Sequence, residues 1–342
     1  MMKTFFRIAL RVVFLLIVAA LLGIGGTMAW FRSWRTEKLS HLNAASTVAE
    51  TAAGKIEFVQ TGEGPVVLVF HGSPGGFDQA MLYGSALSEA GFRIVAPSRP
   101  GYLQTPLSTG LTPENQADAM VSLLDSLDIR SVAVIGISLG SPAAIEFARR
   151  HPDRTWALVL LSAVTKKIPA SPLNPPIPEV LNKGLSGDMG AWALVETSDS
   201  DPAKALCWAF DLAQTGDSAE RGAWVGAVLE KPAQIAWFRD LVGTTAPLSP
   251  RETGLRNDLL QLRVLADVPY EKLGVPSLFV HGVADKWLPL ADVEAVVKRM
   301  PQAELLAVPA TGHLVELGPN SAPVMEKIIG FLNRFHGGQG AP

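Results

Sequence analysis

One cysteine, Cys207, stands in 342 residues. That excludes an internal disulfide and any multi-cysteine metal site. Cys207 sits in "ALCWAF" with no histidine near it in sequence, so it reads as a buried apolar residue rather than a nucleophile. Charge is scarce as well. Asp, Glu, Lys and Arg make up 18% of the chain, the net charge is -3, and no long run carries one sign. Nothing in that pattern would hold a phosphate backbone, which argues against nucleic-acid binding. Glycine and proline are ordinary at 31 and 25 residues, and there is neither an internal repeat nor a low-complexity segment, so the chain is neither fibrous nor disordered.

Apolar sequence is what the chain has in quantity, at 48%. Part of it is N-terminal: Val12 to Trp30 contains no charged residue. As a helix this stretch would span ~28 Å, close to the ~30 Å thickness of bilayer hydrocarbon. Lys3, Arg7 and Arg11 precede it, and Trp30, Phe31 and Trp34 follow where an aromatic belt would lie. The competing reading is a cleaved signal peptide, but that calls for a shorter apolar core and an A-x-A-like site, which Thr27-Met28-Ala29 matches only in part. The expectation is a single-pass anchor over residues 1–35 with the domain on the outer side, followed by a small, polar tether over 36–54.

From residue 56 onward, apolar runs of strand length alternate with helix-like stretches. Strands are expected at "PVVLVFHG" (65–72), 92–98, 131–137, 155–164, 275–285 and 303–310. Helices are expected at 77–90, at 139–150, at 290–299, at 319–335, and over "LTPENQADAMVSLLDSLDI" with Thr112 as N-cap and Pro113 in its first turn. Strands apolar on both faces, alternating with helices, imply an α/β fold with a mostly parallel sheet. The alternation stops between 165 and 270, a region holding "IPASPLNPPIPE" and Trp192, Trp208, Trp224 and Trp237, and then resumes. This reads as a helical lid inserted between core segments 55–164 and 271–337.

The apolar run at 131–137 leads into Gly136-Ile137-Ser138-Leu139-Gly140, with a helical pattern directly after. A serine between two glycines at a strand-to-helix turn suits a nucleophile: the glycines keep a sharp turn uncrowded, and the following N–H can stabilise an oxyanion. A serine also needs a base. Of the six histidines, His41 lies in the tether, His336 in the tail and His151 after a helix, while His71 and His281 end apolar strands. His313, in "VPATGHLVEL", follows the last strand on the same sheet edge as Ser138. Asp285, in "FVHGVADKWLP", lies on that edge too, and the order serine, acid, histidine is that of α/β-hydrolases. A second oxyanion donor is expected from "HGSPGGFDQ", with the Ser73 N–H first and Gly75 or Gly76 as alternatives.

"VLVFHGSPGG", "APSRPGY", "VIGISLGSPAA", "HGVADKWLP" and "TGHLVEL" resemble the α/β-hydrolase superfamily, in the branch of proline iminopeptidases, carboxylesterases and carbon–carbon bond hydrolases. The resemblance spans 65–318 and implies Ser138 as nucleophile, His313 as base, Asp285 as its partner, Leu139 and Ser73 as the oxyanion hole, and no metal or cofactor. Dehalogenases and epoxide hydrolases of this fold carry aspartate where Ser138 stands, and epoxide hydrolases add lid tyrosines. Here only Tyr270 lies near the lid. Proline iminopeptidases usually read HGGPG and GGSWG in place of the HGSPG and GISLG found here, though Glu196 or Glu230 could bind an amine. The expectation is a membrane-anchored esterase or lipase-like enzyme acting on a small ester or lipid-like substrate, with the tryptophans lining an apolar acyl site or forming the lid core. An aminopeptidase and a non-catalytic binding module are the alternatives.

Overall fold

The computed structural model describes residues 2–168 and 187–336. The chain divides between Ala45 and Ser46 into two units. The first is one helix, α1 (Met2–Ala45), on which large apolar side chains from Phe5 to Trp30 stand exposed. Among the described residues it is the one helix long and apolar enough to cross a bilayer. It continues through "TEKLSHLNAA", which holds good helix formers and neither glycine nor proline. The tether expected over 36–54 is therefore corrected. Residues 36–45 are helical, and β1 (Thr47–Thr51) pairs antiparallel with β2 (Gly54–Thr61) across a turn in which Gly54 takes φ +110°.

The second unit is built on one eight-stranded sheet, with β3 (Val66–Phe70), β4 (Arg93–Pro97), β5 (Val132–Ile137), β6 (Thr155–Leu161), β7 (Ser277–Gly282) and β8 (Ala303–Val308) in the order β1-β2-β4-β3-β5-β6-β7-β8. β1, β2 and β4 pair antiparallel and every later pairing is parallel. The continuous apolar runs "VAVIGI" and "TWALVLL" are buried at every position, because helices cover both faces. Helices α3 (Pro113–Ser126), α4 (Ser141–Arg150) and α10 (Leu290–Val297) pack on one face through Leu123, Phe147 and Val293. On the other face α2 (Phe77–Glu89) and α11 (Ala322–His336) pack through Leu87, Ile328 and Phe331. Each such side chain contributes roughly 1.5–3 kcal/mol. The parallel strands leave the loops after β3, β4, β5, β7 and β8 along one edge, where ligands of open α/β sheets bind.

Between β6 and β7 come α5 (Gly187–Ser200), α6 (Pro202–Ala213), α7 (Ser218–Leu229), α8 (Pro232–Gly243) and α9 (Glu252–Val264). The stretch "PASPLNPPIPE" lies outside the described residues. These helices have a core of their own, and the tryptophans belong to it or to the surface. Trp224 packs on Phe210 at 5.8 Å, Trp237 stands edge-on to Tyr83 at 5.4 Å, and Trp208 is exposed beneath Lys204. Of the two readings of the tryptophans, the lid core is where Trp224 and Trp237 pack, while Trp208 lies on the surface. Cys207 is part-buried against the same cluster.

Between β8 and α11, Glu316 is partly exposed, but its Oε1 is enclosed and has no partner among the described residues. Burial raises its carboxyl to about 8, and its own backbone N–H offsets this only in part. A folded value above the unfolded one means the folded state holds the proton more tightly. Stability is therefore fullest below about 4.5 and falls as pH rises through about 8. Glu316→Gln removes that loss. Thermal unfolding should show the variant about 5 °C above the parent at pH 9 and much closer to it at pH 5, whereas parallel profiles would show that the carboxyl is not held protonated.

Candidate active site

β5 runs straight into Ser138, which takes φ +48°, a left-handed conformation that costs a serine of order 1 kcal/mol and lifts its side chain off the strand end. The turn closes so tightly that a Cβ on Gly140 would lie 2.4 Å from His71 O and 2.5 Å from Phe70 O. One on Gly136 would lie 2.6 Å from Ala144 Cβ. Both flanking glycines are thus required by contacts across the turn. A short 3-10 turn over Ser138–Gly140 leads into α4, so the regular helix begins two residues later than the sequence pattern suggests.

The three residues singled out from sequence converge. His313 Nε2 lies 2.9 Å from Ser138 Oγ, and His313 Nδ1 lies 2.8 Å from Asp285 Oδ2. Asp285 Oδ1 accepts from the N–H groups of Trp287 (2.9 Å) and Leu288 (3.0 Å), which fixes the carboxylate. Burial by itself would push that carboxyl up, but the charge and hydrogen bond of His313, the Leu288 amide and His281 outweigh it and hold Asp285 below its usual range. His281 is buried behind it, with its Nε2–H donating to Leu288 O at 2.7 Å and its pKa lowered by burial.

Beside the elbow, a Cβ on Gly72 would lie 3.5 Å from Ser138 Cβ, so the loop after β3 borders the serine. The Ser73 N–H has no acceptor among the described residues, and Leu139 lies in the first turn of the 3-10 helix that follows Ser138. A Cβ on Gly75 would lie 2.7 Å from Gln79 Oε1, Gly72 O and His71 Nδ1, and one on Gly76 would lie 2.4 Å from Leu103 Cδ1. Among the other histidines, His151 pairs with Asp118 at 2.8 Å and His71 is fully buried. Of the two acids considered for amine binding, Glu196 is part-buried on α5 and Glu230 is exposed at the end of α7.

Two supports had no sequence signal. Ser162 donates through Oγ to His313 O at 2.6 Å, from a backbone with φ +46° just past β6. The segment after α6 lies between the acid and histidine loops: Ala213 O accepts from His313 N–H (3.0 Å) and Lys286 N–H (3.3 Å), Gln214 bridges Asp285, and Thr215 N–H donates to Ala284 O at 2.8 Å. This strap passes so close that a Cβ on Gly312 would be 2.6 Å from Ala213 O and from Gln214 Cβ. Gly312→Ala must displace either the strap or His313. The expected result is a roughly 10–100-fold lower kcat in a protein that still folds; unchanged kinetics would show that the strap is free to move without consequence.

Residues 65–317 match the family model for the alpha/beta hydrolase fold, well over half of the chain. The chain belongs to the α/β-hydrolase family. An uncharacterized hydrolase of Bacillus subtilis, YcgS, is 29% identical over 283 residues, covering 82% of this chain and 95% of that protein. A pimeloyl-[acyl-carrier protein] methyl ester esterase of Aromatoleum aromaticum is 28% identical over 228 residues, covering 66% and 81%. Among solved structures, an alpha/beta hydrolase fold protein from Nakamurella multipartita superposes with a TM-score of 0.77 at 27% identity, covering 86% of this chain and all of that one. This α/β-hydrolase is a hydrolytic enzyme, and its elbow, acid loop and histidine loop all fall inside the matched region.

Proposed function

We propose that the chain is a membrane-anchored serine esterase in which Ser138, His313 and Asp285 act as a catalytic triad. The observation that carries this reading is the unbroken line from Ser138 Oγ to His313 Nε2 (2.9 Å) and from Nδ1 to Asp285 (2.8 Å), at a serine held with φ +48°. His313 takes the Ser138 proton as Oγ bonds to the ester carbonyl carbon, while Asp285 stabilises the imidazolium and keeps the proton on Nδ1. The N–H groups of Leu139 and Ser73 receive the oxyanion. Collapse of the tetrahedral species breaks the bond to the alcohol oxygen, which leaves with the proton from His313 Nε2. Water, deprotonated by the same nitrogen, then attacks the acyl-enzyme and releases the acid.

An apolar wall supports an apolar acyl or alkyl group. Leu139, Val164, Leu262 and Leu288 form one buried cluster with Trp287 beside them, and the Trp287 ring lies 4.7 Å from that of His313. The helices between β6 and β7 would serve as the lid. The uncharged stretch of α1 supports insertion in a membrane; Lys3, Arg7 and Arg11 precede it and Arg32, Arg35 and Lys38 follow it, so the basic residues do not favour one side.

The test uses the full chain in detergent against nitrophenyl esters of increasing acyl length and a matched set of aminoacyl amides. Ester turnover that rises with chain length is expected, together with labelling by a fluorophosphonate probe. Faster turnover of the amides, or a folded protein that resists the probe, would overturn the reading. The anchor predicts that the protein stays with membranes through an alkaline carbonate wash and comes off only with detergent; release by carbonate would point to a cleaved leader.

A further inference from the structure

Ser73 carries two hydrogen-bonding groups, and they are treated differently. Its N–H is open, while its hydroxyl is occupied. Ser73 Oγ reaches Asp258 Oδ2, lies 2.5 Å from Tyr102 Oη and accepts from Arg99 Nη2 at 3.1 Å. Asp258 is the centre of the cluster. Arg99 binds it bidentately, Nη1 to Oδ1 at 2.9 Å and Nη2 to Oδ2 at 2.6 Å, and the Tyr102 hydroxyl donates to Oδ2 at 2.5 Å. Arg99 is 1% exposed and Asp258 6%, so this ion pair is shielded from solvent and not a loose surface contact.

Arg99 extends the cluster to the neighbouring peptide. Its Nε donates to His71 O at 2.8 Å, and its backbone N–H donates to His71 Nε2 at 2.9 Å. With Nε2 an acceptor, the His71 ring is neutral and carries its proton on Nδ1, which donates to Gly72 O at 2.7 Å. The Gly72–Ser73 peptide is not among the cis bonds, so its C=O and N–H point in opposite directions. Holding Gly72 O on the His71 side aims the Ser73 N–H to the other side. His71 thus grips this peptide from behind, and Asp258 holds the side chain that follows it.

Asp258 does not belong to the sheet. It sits on α9, between β6 and β7, and α9 is docked firmly. A Cβ on Gly254 would lie 2.2 Å from the Tyr102 ring, and Gly254 N–H donates to Gly101 O at 2.8 Å. Arg251, just before α9, is fully buried and binds Asp78 through both oxygens at 2.9 and 2.7 Å.

We propose that Asp258 is a positioning residue for the oxyanion hole, a carboxylate on α9 that fixes Ser73 through its hydroxyl and the His71–Gly72 peptide through Arg99, so that the Ser73 amide is correctly aimed only while α9 is docked. The proposal rests on the reading of Ser138 as nucleophile and the Ser73 N–H as oxyanion donor.

Ser73→Ala tests it most cleanly. It keeps the backbone N–H and leaves the Arg99–Asp258 and Tyr102–Asp258 contacts in place, so the fold survives. Ester kinetics and the affinity for an alkyl boronic acid, whose tetrahedral serine adduct places an oxygen in the oxyanion hole, are measured on the full chain. Expected is a kcat about 10-fold lower with KM within about 2-fold, and a boronate affinity reduced in the same proportion as kcat/KM. Ser73→Thr, which restores a hydroxyl, recovers most of the loss. Asp258→Asn acts in the same direction, and the double variant is no worse than the poorer single one, because the two groups act as a unit. Parent-like kcat and boronate affinity in Ser73→Ala, or a change in KM alone, overturns the proposal. Failure of the underlying reading looks different: Ser138→Ala would retain ester turnover, or the parent would show neither turnover nor boronate binding, and the proposal would fall with it.

Discussion

Ser138→Ala is expected to lower ester kcat by at least about 10⁴-fold and to abolish fluorophosphonate labelling, with no loss of thermal stability. The change removes one oxygen whose recorded hydrogen bond is to His313 Nε2. It also removes little of what packs the elbow, since the tight contacts there are those of Gly136 and Gly140 with Ala144, Phe70 and His71. Residual turnover above solvent hydrolysis is expected, because amides aimed at a carbonyl oxygen still act when the nucleophile is gone. Retention of more than about a tenth of parental kcat would show that another group performs the attack.

Asp285→Asn should lower kcat by about 10³–10⁴-fold at neutral pH. Asparagine can keep one oxygen toward the N–H groups of Trp287 and Leu288, so the acid loop stays closed. Its NH₂ then faces His313 Nδ1, which must become an acceptor, and the proton moves to Nε2. A histidine protonated at Nε2 points a donor at Ser138 and cannot take the serine's proton. Fluorophosphonate labelling should slow in proportion to kcat. A second consequence concerns acid stability. Because the folded Asp285 carboxyl lies below its ordinary value of 3.8, its contribution is present at neutral pH and is lost as pH falls through the folded value. The parent should lose stability there more steeply than Asp285→Asn, and identical acid limbs in the two proteins would sink this account of the carboxylate.

What could be read from sequence was what local pattern encodes. Continuous β-branched runs specify covered parallel strands, and "GISLG" at a strand end encodes a turn that its two flanking contacts then require. Asp285 and His313 were legible because each directly follows a strand, which places it on a known edge of the sheet. Residues 36–54 were misread because their polarity is that of an exposed helix end and an edge hairpin as much as of a linker. The tryptophans were ambiguous because side-chain size does not say which helix face turns inward. Ser162, the strap after Ala213, and Asp258 were out of reach for a shared reason. Their partners lie 151, 100 and 185 residues away, and nothing local marks a serine, a helix end or a helical aspartate as the far half of a contact.

The strap also bears on how substrate gets in. Ala213 O is the shared acceptor of two backbone amides, one on the histidine loop and one on the acid loop. Lifting that carbonyl would strand both donors at a cost of roughly 1–3 kcal/mol each. The end of α6 therefore behaves as a fixed pivot and not as the free tip of a flap. If Ser138, His313 and Asp285 act as proposed, pulling it away would also free the histidine and acid loops from their shared acceptor, so substrate is expected to reach Ser138 without displacing the strap.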